Sequence, residues 1–260
     1  MQWLSMLRTL VLMAAVVPIG LAGTAPLSGS PAVLKTELLD SPPKFIKDSD
    51  GNFSGLCIEL MKLIEQNSNF KFSYPHNFTP TGRAETNLKN GDTDVHFGFS
   101  RTPEREKDVV FLEPLYEIKY VLLARNDDPI SVSTVDDVKK LGSNGVVLTL
   151  LGTGIIAYAK GLGFTVEANS VEILPNLIRL KLGKDRFLMY HDLGLFYELK
   201  DPKFKGIFKV MPLELQKTSH WLAVSKNLDS GVKKDLSEAI RKLKQSGKWK
   251  SIITKYTTLQ

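Results

Sequence analysis

The chain has 260 residues, with 34 basic against 28 acidic side chains and a formal net charge of +6. That length is enough for one large or two small α/β domains. The basic residues are densest between Lys233 and Lys250, where they alternate with apolar residues at helical spacing and Trp249 is the only interleaved aromatic residue. This pattern indicates a solvated helix face and excludes a nucleic-acid-binding role.

Residues 1–22 are predicted to form a signal peptide. A single positive charge, Arg8, precedes an apolar run over residues 10–22, which is shorter than the ~20 residues of a membrane-spanning helix. Small residues at the end of this run suit cleavage between Ala22 and Ala25. Cleavage removes the one charge of Arg8 from the net +6 and leaves +5. We therefore expect an exported protein that is held in the periplasm.

Strand and helix patterns then alternate along the chain. Apolar runs predict strands at 33–39, 70–74, from 95, 120–125, 145–150, 164–168, 186–190, 207–211 and 221–224. Apolar residues at helical spacing, with capping and stop residues, predict helices at 56–64, 83–89, from 133, 154–160, 171–182, 231–245 and 248–256. This alternation predicts mostly parallel sheets with helices on both faces. The single cysteine, Cys57, is expected to pack as a small hydrophobic residue.

The segment from Gly98 to Arg105 places a cation just beyond the end of an apolar strand. In an open α/β sheet, ligands bind at this edge. A guanidinium there offers two parallel donors to a carboxylate, a geometry that lysine cannot reproduce. Arg105 is therefore predicted to bind a ligand carboxylate, and an exposed arginine at a helix start is the alternative.

Two further segments supply complementary groups. Gly152-Thr153-Gly154 lies between a predicted strand and helix, where backbone N–H groups can approach an anion. Asp192 follows another predicted strand and can accept hydrogen bonds from an ammonium group. The alternatives are a simple turn for the first segment and an N-cap of a helix beginning at Leu193 for Asp192.

In their order along the chain, these segments resemble the family 3 extracellular solute-binding proteins, whose glutamine- and histidine-binding members are periplasmic. The resemblance covers essentially the whole mature chain. It rests further on short matching segments at residues 42–43, 50–51, 55–56, 88–94, 134–138, 191–192, 222–226 and 247–256.

The resemblance implies an α/β, type II periplasmic-binding fold. Such a fold has two lobes with mixed, mostly parallel sheets, helices on both faces and a two-strand hinge. Lobe 1 is expected at residues 31–115 plus 220–260 and lobe 2 at 116–219. The chain is expected to cross between the lobes near 115–119 and 216–220.

The resemblance also implies a set of ligand-binding residues: Gly98, Ser100, Arg105, Gly152, Thr153, Asp192 and Phe78. Arg105 and the backbone of 152–153 would hold the carboxylate of an amino acid, while Gly98, Ser100 and Asp192 would take its amino group. Phe78 would take the role of an aromatic residue that commonly precedes the next helix. Closure of the lobes around the ligand would then strengthen both ion pairs by removing water.

Lys44 departs from the family pattern, because it replaces the usual aromatic residue after the proline pair. The expected function is nevertheless non-enzymatic binding of an amino acid or related anion, with delivery to an ABC-type permease. One alternative is a dehydratase of the cyclohexadienyl type, for which Glu104, His191 and Asp192 are the candidate acids. Another is a sensor that docks on a membrane receptor. We expect a monomer without a cofactor, and no His/Cys grouping has metal-ligand spacing.

Overall fold

The computed structural model describes residues 30–151 and 153–257. The predicted signal peptide, residues 1–22, and the predicted site residue Gly152 lie outside the described residues. Within the described ranges, no helix has both the length and the apolar character that crossing a membrane requires.

Strands and helices alternate along the chain as predicted. The described strands are β1 (Ala32–Lys35), β2 (Ile46–Lys47), β3 (Phe53–Ser54), β4 (Phe70–Ser73), β5 (Val95–Ser100), β6 (Val109–Arg125), β7 (Val147–Thr149), β8 (Val166–Ala168), β9 (Phe187–His191), β10 (Phe208–Val210) and β11 (Lys217–Ser225). The described α-helices are α1 (Leu56–Asn67), α2 (Thr81–Asn90), α3 (Pro103–Glu106), α4 (Val135–Lys140), α5 (Ile155–Gly161), α6 (Ile173–Lys181), α7 (Asp192–Glu198), α8 (Ser230–Lys244) and α9 (Gly247–Thr257).

Local signals in the sequence set several of these boundaries. Helix α1 buries the predicted apolar face from Leu56 to Ile64. Helix α2 ends where Gly91 adopts a left-handed conformation with a φ of 86°. Helix α4 begins with a capping box in which Thr134 and Asp137 satisfy each other's backbone N–H groups.

The long strands β6 and β11 lie side by side. They pair in antiparallel orientation, with Lys217 opposite Lys119 and His220 opposite Tyr116, in the segments where the sequence predicts the crossings between the lobes. The resulting seven-stranded sheet has the order β5-β11-β6-β9-β7-β8, with β10 beside β6. The predicted two-lobed α/β architecture is confirmed.

The sheets contain less parallel pairing than the prediction of mostly parallel sheets. Pairs β1–β4, β7–β8 and β7–β9 are parallel, whereas β2–β3, β5–β11, β6–β11, β6–β9 and β6–β10 are antiparallel. The reason is that the chain leaves the first lobe along β6 and returns along β11, so these neighbouring strands run in opposite directions. Alternation of strands and helices is a local signal and does not reveal this return.

Separate hydrophobic cores stabilise the two lobes. The first surrounds α1 and β5 and includes Trp249 of α9, so the end of the chain packs on the first lobe. In the second lobe, neighbouring residues Phe187 and Leu188 of β9 belong to cores on opposite faces of the sheet. Leu193 of α7 belongs to the first core. The junction of β9 and α7 therefore lies where the two lobes meet.

Candidate functional site

Arg105 lies on α3, directly beyond the end of β5. Thr102 caps this helix by accepting the backbone N–H of Arg105 at 3.3 Å. The Arg105 guanidinium donates through Nε and Nη2 to Glu85 Oε1, at 3.1 and 2.5 Å, and through Nη1 to the Ser100 carbonyl at 2.9 Å. Its Cζ lies 4.9 Å from the centre of the Phe99 ring. Several contacts therefore fix the orientation of this guanidinium.

These contacts use three of the five N–H groups of Arg105. One N–H remains on each terminal nitrogen, and each can donate to a ligand. The structure brings Ser100 and Arg105 together through the Ser100 carbonyl, and the predicted role of Ser100 towards the ligand's amino group stays a prediction. The partner Glu85, which lies 20 residues earlier on α2, was not predicted.

Gly98 lies inside β5 with a φ of 79°, in the left-handed region. A Cβ atom at this position would lie 2.7 Å from Tyr116 Oη, 3.2 Å from Lys44 Cδ and 3.3 Å from Cys57 Sγ. Both the backbone conformation and the crowding therefore require glycine here. Gly98 therefore allows β5 to pass close to Tyr116, Lys44 and Cys57.

Asp192 is the first residue of α7 and is 7% exposed. Its Oδ1 accepts the backbone N–H groups of Leu193 at 2.8 Å and Lys119 at 3.2 Å. Burial raises the pKa of this carboxyl group, against the opposing effect of these hydrogen bonds. The N-cap of α7 is His191, whose Nδ1 accepts the Gly194 N–H at 3.0 Å. The alternative that Asp192 is the N-cap of a helix beginning at Leu193 is therefore wrong, because the helix begins one residue earlier, at Asp192 itself.

Thr153 and Phe78 contact residues other than Arg105 and Asp192. Thr153 Oγ1 donates to the Leu150 carbonyl at 2.7 Å, which fixes the turn before α5. Phe78 packs edge-to-face on Phe53, with ring centres 5.5 Å apart. The structure therefore places Phe78 in an aromatic group on the first lobe, and its predicted ligand contact stays a prediction.

Lys44 is a further residue that was not predicted to belong to the site. It lies in the loop before β2, is 9% exposed, and packs against Gly98. Burial lowers the pKa of its ammonium group, and the nearby Arg105 charge lowers it further. Its position at a departure from the family pattern was the only sequence signal.

A chain of polar contacts connects elements of both lobes beside Lys44. Cys57 Sγ of α1 lies 3.7 Å from Tyr116 Oη of β6, which lies 3.2 Å from His220 Nδ1 of β11. The His220 and His191 rings meet edge-to-face with centres 6.0 Å apart. We call Lys44, Cys57, Tyr116, His191 and His220 the buried polar cluster. Strand pairing brings His220 to Tyr116 across 104 residues of sequence.

The environment of the buried polar cluster leaves most of its groups uncharged near neutral pH. Burial, together with the Lys44 charge, lowers the pKa of His191 to about 3 and holds that of His220 well below its ordinary value. Burial raises the pKa of the Cys57 thiol to about 12 and that of Tyr116 well above its ordinary value. Positive charge in this region therefore comes from Lys44 and the adjacent Arg105.

Two surface cavities lie apart from the predicted site residues. No group of three or more His, Cys, Asp or Glu side chains in the described ranges has an arrangement that could hold a metal ion. A surface cavity of about 370 Å³ includes Asp128 and Arg186, which pair with each other at 2.9 Å. A second surface cavity of about 450 Å³ lies beside Phe70 and α8. Neither cavity contains a residue of the predicted site.

Comparison with known proteins gives both a family and structural neighbours. A "probable histidine-binding protein" of Neisseria gonorrhoeae is 29% identical over 212 residues, which cover 80% of this chain and 76% of that protein. An amino acid ABC transporter substrate-binding protein of Streptococcus pneumoniae, bound to L-arginine, superposes with a TM-score of 0.67 at 20% identity, covering 88% of this chain and 94% of that chain.

An ancestral amino acid-binding protein, a precursor of cyclohexadienyl dehydratase, gives a TM-score of 0.70 at 19% identity and covers 88% of this chain and 96% of that chain. These structural similarities support the fold described above. The family model for bacterial extracellular solute-binding proteins, family 3, matches residues 36–259, which is almost the whole described chain. The chain therefore belongs to the bacterial extracellular solute-binding proteins of family 3.

Proposed function

We propose that this protein binds an amino acid between its two lobes in the periplasm and delivers it to an ABC-type permease. The observation that carries the proposal is the guanidinium of Arg105, which Glu85 and the Ser100 carbonyl hold in place and which retains two N–H groups that can donate to a carboxylate. Membership of a solute-binding family supports the capture of a small molecule without further chemistry.

The opposite lobe supplies the group for the ligand's ammonium. Asp192 lies at the junction of β9 and α7, and only its Oδ1 accepts hydrogen bonds among the described residues. Its Oδ2 is therefore available to an ammonium group. The carbonyl of Gly98, the hydroxyl of Ser100 and the turn at Thr153 complete the proposed contacts.

Binding to both lobes favours a closed arrangement. We assign lobe 1 to residues 31–115 plus 220–260 and lobe 2 to 116–219, so that Arg105 and Asp192 belong to different lobes. A zwitterion that bridges them stabilises the closed state, because excluding water strengthens both ion pairs. The paired strands β6 and β11 act as the hinge that absorbs the change in backbone angles.

A dehydratase is the less favoured alternative, although one structural neighbour is described as a precursor of such an enzyme. A general acid needs a pKa near the working pH. Hydrogen bonds to its own backbone N–H and to Thr102 lower the pKa of the exposed Glu104, and the pKa of His191 is about 3. Neither group suits protonation of a leaving hydroxyl group, and Asp192, whose pKa burial raises, is the one of the three candidate acids that fits this role.

Thermal unfolding in the presence of single amino acids, dicarboxylates, prephenate or arogenate tests the proposal. A ligand at one hundred times its dissociation constant stabilises the native state by about 2.7 kcal/mol. We expect a stabilising amino acid whose effect disappears in Arg105→Ala and persists in Arg83→Ala, which changes an exposed arginine of α2. Stabilisation by prephenate or arogenate alone, or an effect indifferent to Arg105, would contradict the proposal.

A further inference from the structure

Lys44 carries a buried charge without an acidic partner. The residue is 9% exposed, and its ammonium forms no ion pair or hydrogen bond with any residue in the described ranges. A buried charge is strongly disfavoured unless an opposite charge compensates it. Among the described residues, no side chain therefore supplies a compensating anion at this position.

Among the described residues, the titratable or charged groups that couple electrostatically with Lys44 include no carboxylate. These groups are Cys57 of α1, His96 of β5, Arg105 of α3, His191 of β9 and His220 of β11. Tyr116 of β6 lies within hydrogen-bond distance of Cys57 and His220. The Tyr116 hydroxyl and the histidine rings can donate hydrogen bonds to an anion. The surroundings of Lys44 thus suit a negatively charged group of a ligand.

We propose that the solute bound between the lobes carries a second acidic group, which pairs with Lys44 while its α-carboxylate is held by Arg105. This inference rests on the proposed function and names the class of solute as a dicarboxylic amino acid. The solved structure of the substrate-binding protein from Streptococcus pneumoniae is bound to L-arginine. A cationic side chain in this protein would face the like charge of Lys44, which disfavours such a ligand.

The charge of the ligand also affects the neighbouring bases. An anion beside Lys44 favours the protonated forms of Lys44, His191 and His220, whose pKa values burial now lowers. Binding of the acidic ligand is therefore accompanied by proton uptake wherever these groups are not already protonated. Binding of the uncharged amide analogue lacks this uptake.

Isothermal titration with the matched pairs L-glutamate against L-glutamine and L-aspartate against L-asparagine tests the inference. Members of each pair have the same shape and differ in charge. We expect the acidic member of one pair to bind at least about tenfold more tightly, the lower end of the range for close charge pairs. Titrations in buffers of different ionisation enthalpy measure the proton uptake.

The variant Lys44→Met removes the charge and keeps a chain of similar length. It should abolish the preference for the acidic member, whereas Lys71→Met, which changes an exposed lysine of β4, should preserve it. Tighter or equal binding of the amides in the unaltered protein overturns the inference and leaves the proposed function standing. Absence of binding to every amino acid overturns the proposed function itself. The comparison within the unaltered protein does not depend on the folding of any variant.

Discussion

Arg105 and Lys44 are neighbouring cations of the first lobe, yet the protein holds them in opposite ways. Glu85 and the Ser100 carbonyl hold Arg105, whereas Lys44 is buried beside Gly98 without an acidic partner in the described ranges. A paired guanidinium is oriented before a ligand arrives, which lowers the entropic cost of binding. An unpaired buried ammonium instead keeps a desolvation cost that an anionic ligand offsets. We therefore propose that the first cation positions a common carboxylate and that the second selects among ligands.

The largest effect should come from removing Arg105. We expect Arg105→Ala to weaken binding of the best amino-acid ligand by about 30-fold or more, because truncating one partner of a desolvated charge pair costs about 2–5 kcal/mol. Isothermal titration measures the change in dissociation constant. The control Arg83→Ala should leave that constant nearly unchanged, and equal affinities for the two variants would contradict the role of Arg105.

A smaller effect is expected at His96, which both cations influence. Its ring stacks on Phe99 with centres 3.7 Å apart, and burial together with the Lys44 and Arg105 charges lowers its pKa to about 3. The native state therefore holds His96 neutral, while the unfolded state takes up a proton below a pH of about 6.5. Stability is retained above that pH and falls as the pH decreases towards 3.

At pH 5 this difference in the pKa of His96 costs roughly 2 kcal/mol of unfolding free energy. Between pH 7 and pH 5, we expect His96→Leu to lose about 2 kcal/mol less unfolding free energy than the unaltered protein loses. Urea denaturation at several pH values measures this, and the exposed His76 provides a control in His76→Leu. The same pH dependence in His96→Leu and the unaltered protein would show that His96 is not held neutral by burial.

Lys44 provides the next prediction, now in the absence of ligand. We expect Lys44→Met to raise the free energy of unfolding by about 1–2 kcal/mol, because it removes an uncompensated buried charge. Arg105→Met should lower it, because Glu85 loses its partner. Denaturation at neutral pH measures both values. A loss of stability in Lys44→Met would mean that Lys44 is already compensated in the free protein.

The smallest effect is expected at Glu85, whose side chain is 37% exposed. We expect Glu85→Gln to weaken ligand binding by about threefold to fivefold, within the range of a solvent-screened ion pair of up to about 1 kcal/mol. The reason is that the amide holds the Arg105 guanidinium less firmly. Raising the salt concentration should reduce the difference between this variant and the unaltered protein, and an effect as large as that of Arg105→Ala would assign Glu85 a direct ligand contact.

Local sequence signals predicted much of the fold. The left-handed turn at Gly91 and the capping box at Thr134 depend on residues within one helical turn of each other. The approach of Arg105 to Ser100 likewise spans five residues. Features of this range can be read from a single sequence because the interacting groups are neighbours in the chain.

Contacts between distant parts of the chain could not be predicted in the same way. The meeting of Tyr116 with His220 depends on the register of β6 against β11, and the meeting of His191 with His220 depends on how the lobes pack. Burial of Lys44 depends on the crowding of α1 and β5 around Gly98. A lysine is ordinarily exposed, so its replacement of an aromatic residue indicated a departure without indicating its environment.

A crystal structure of the complex with the most stabilising amino acid tests the binding site most directly. The predicted result is a single ligand between the lobes, with its α-carboxylate on the terminal nitrogens of Arg105 and its amino group beside Asp192. A ligand bound outside this region, or one whose carboxylate lies away from Arg105, would contradict the proposed site.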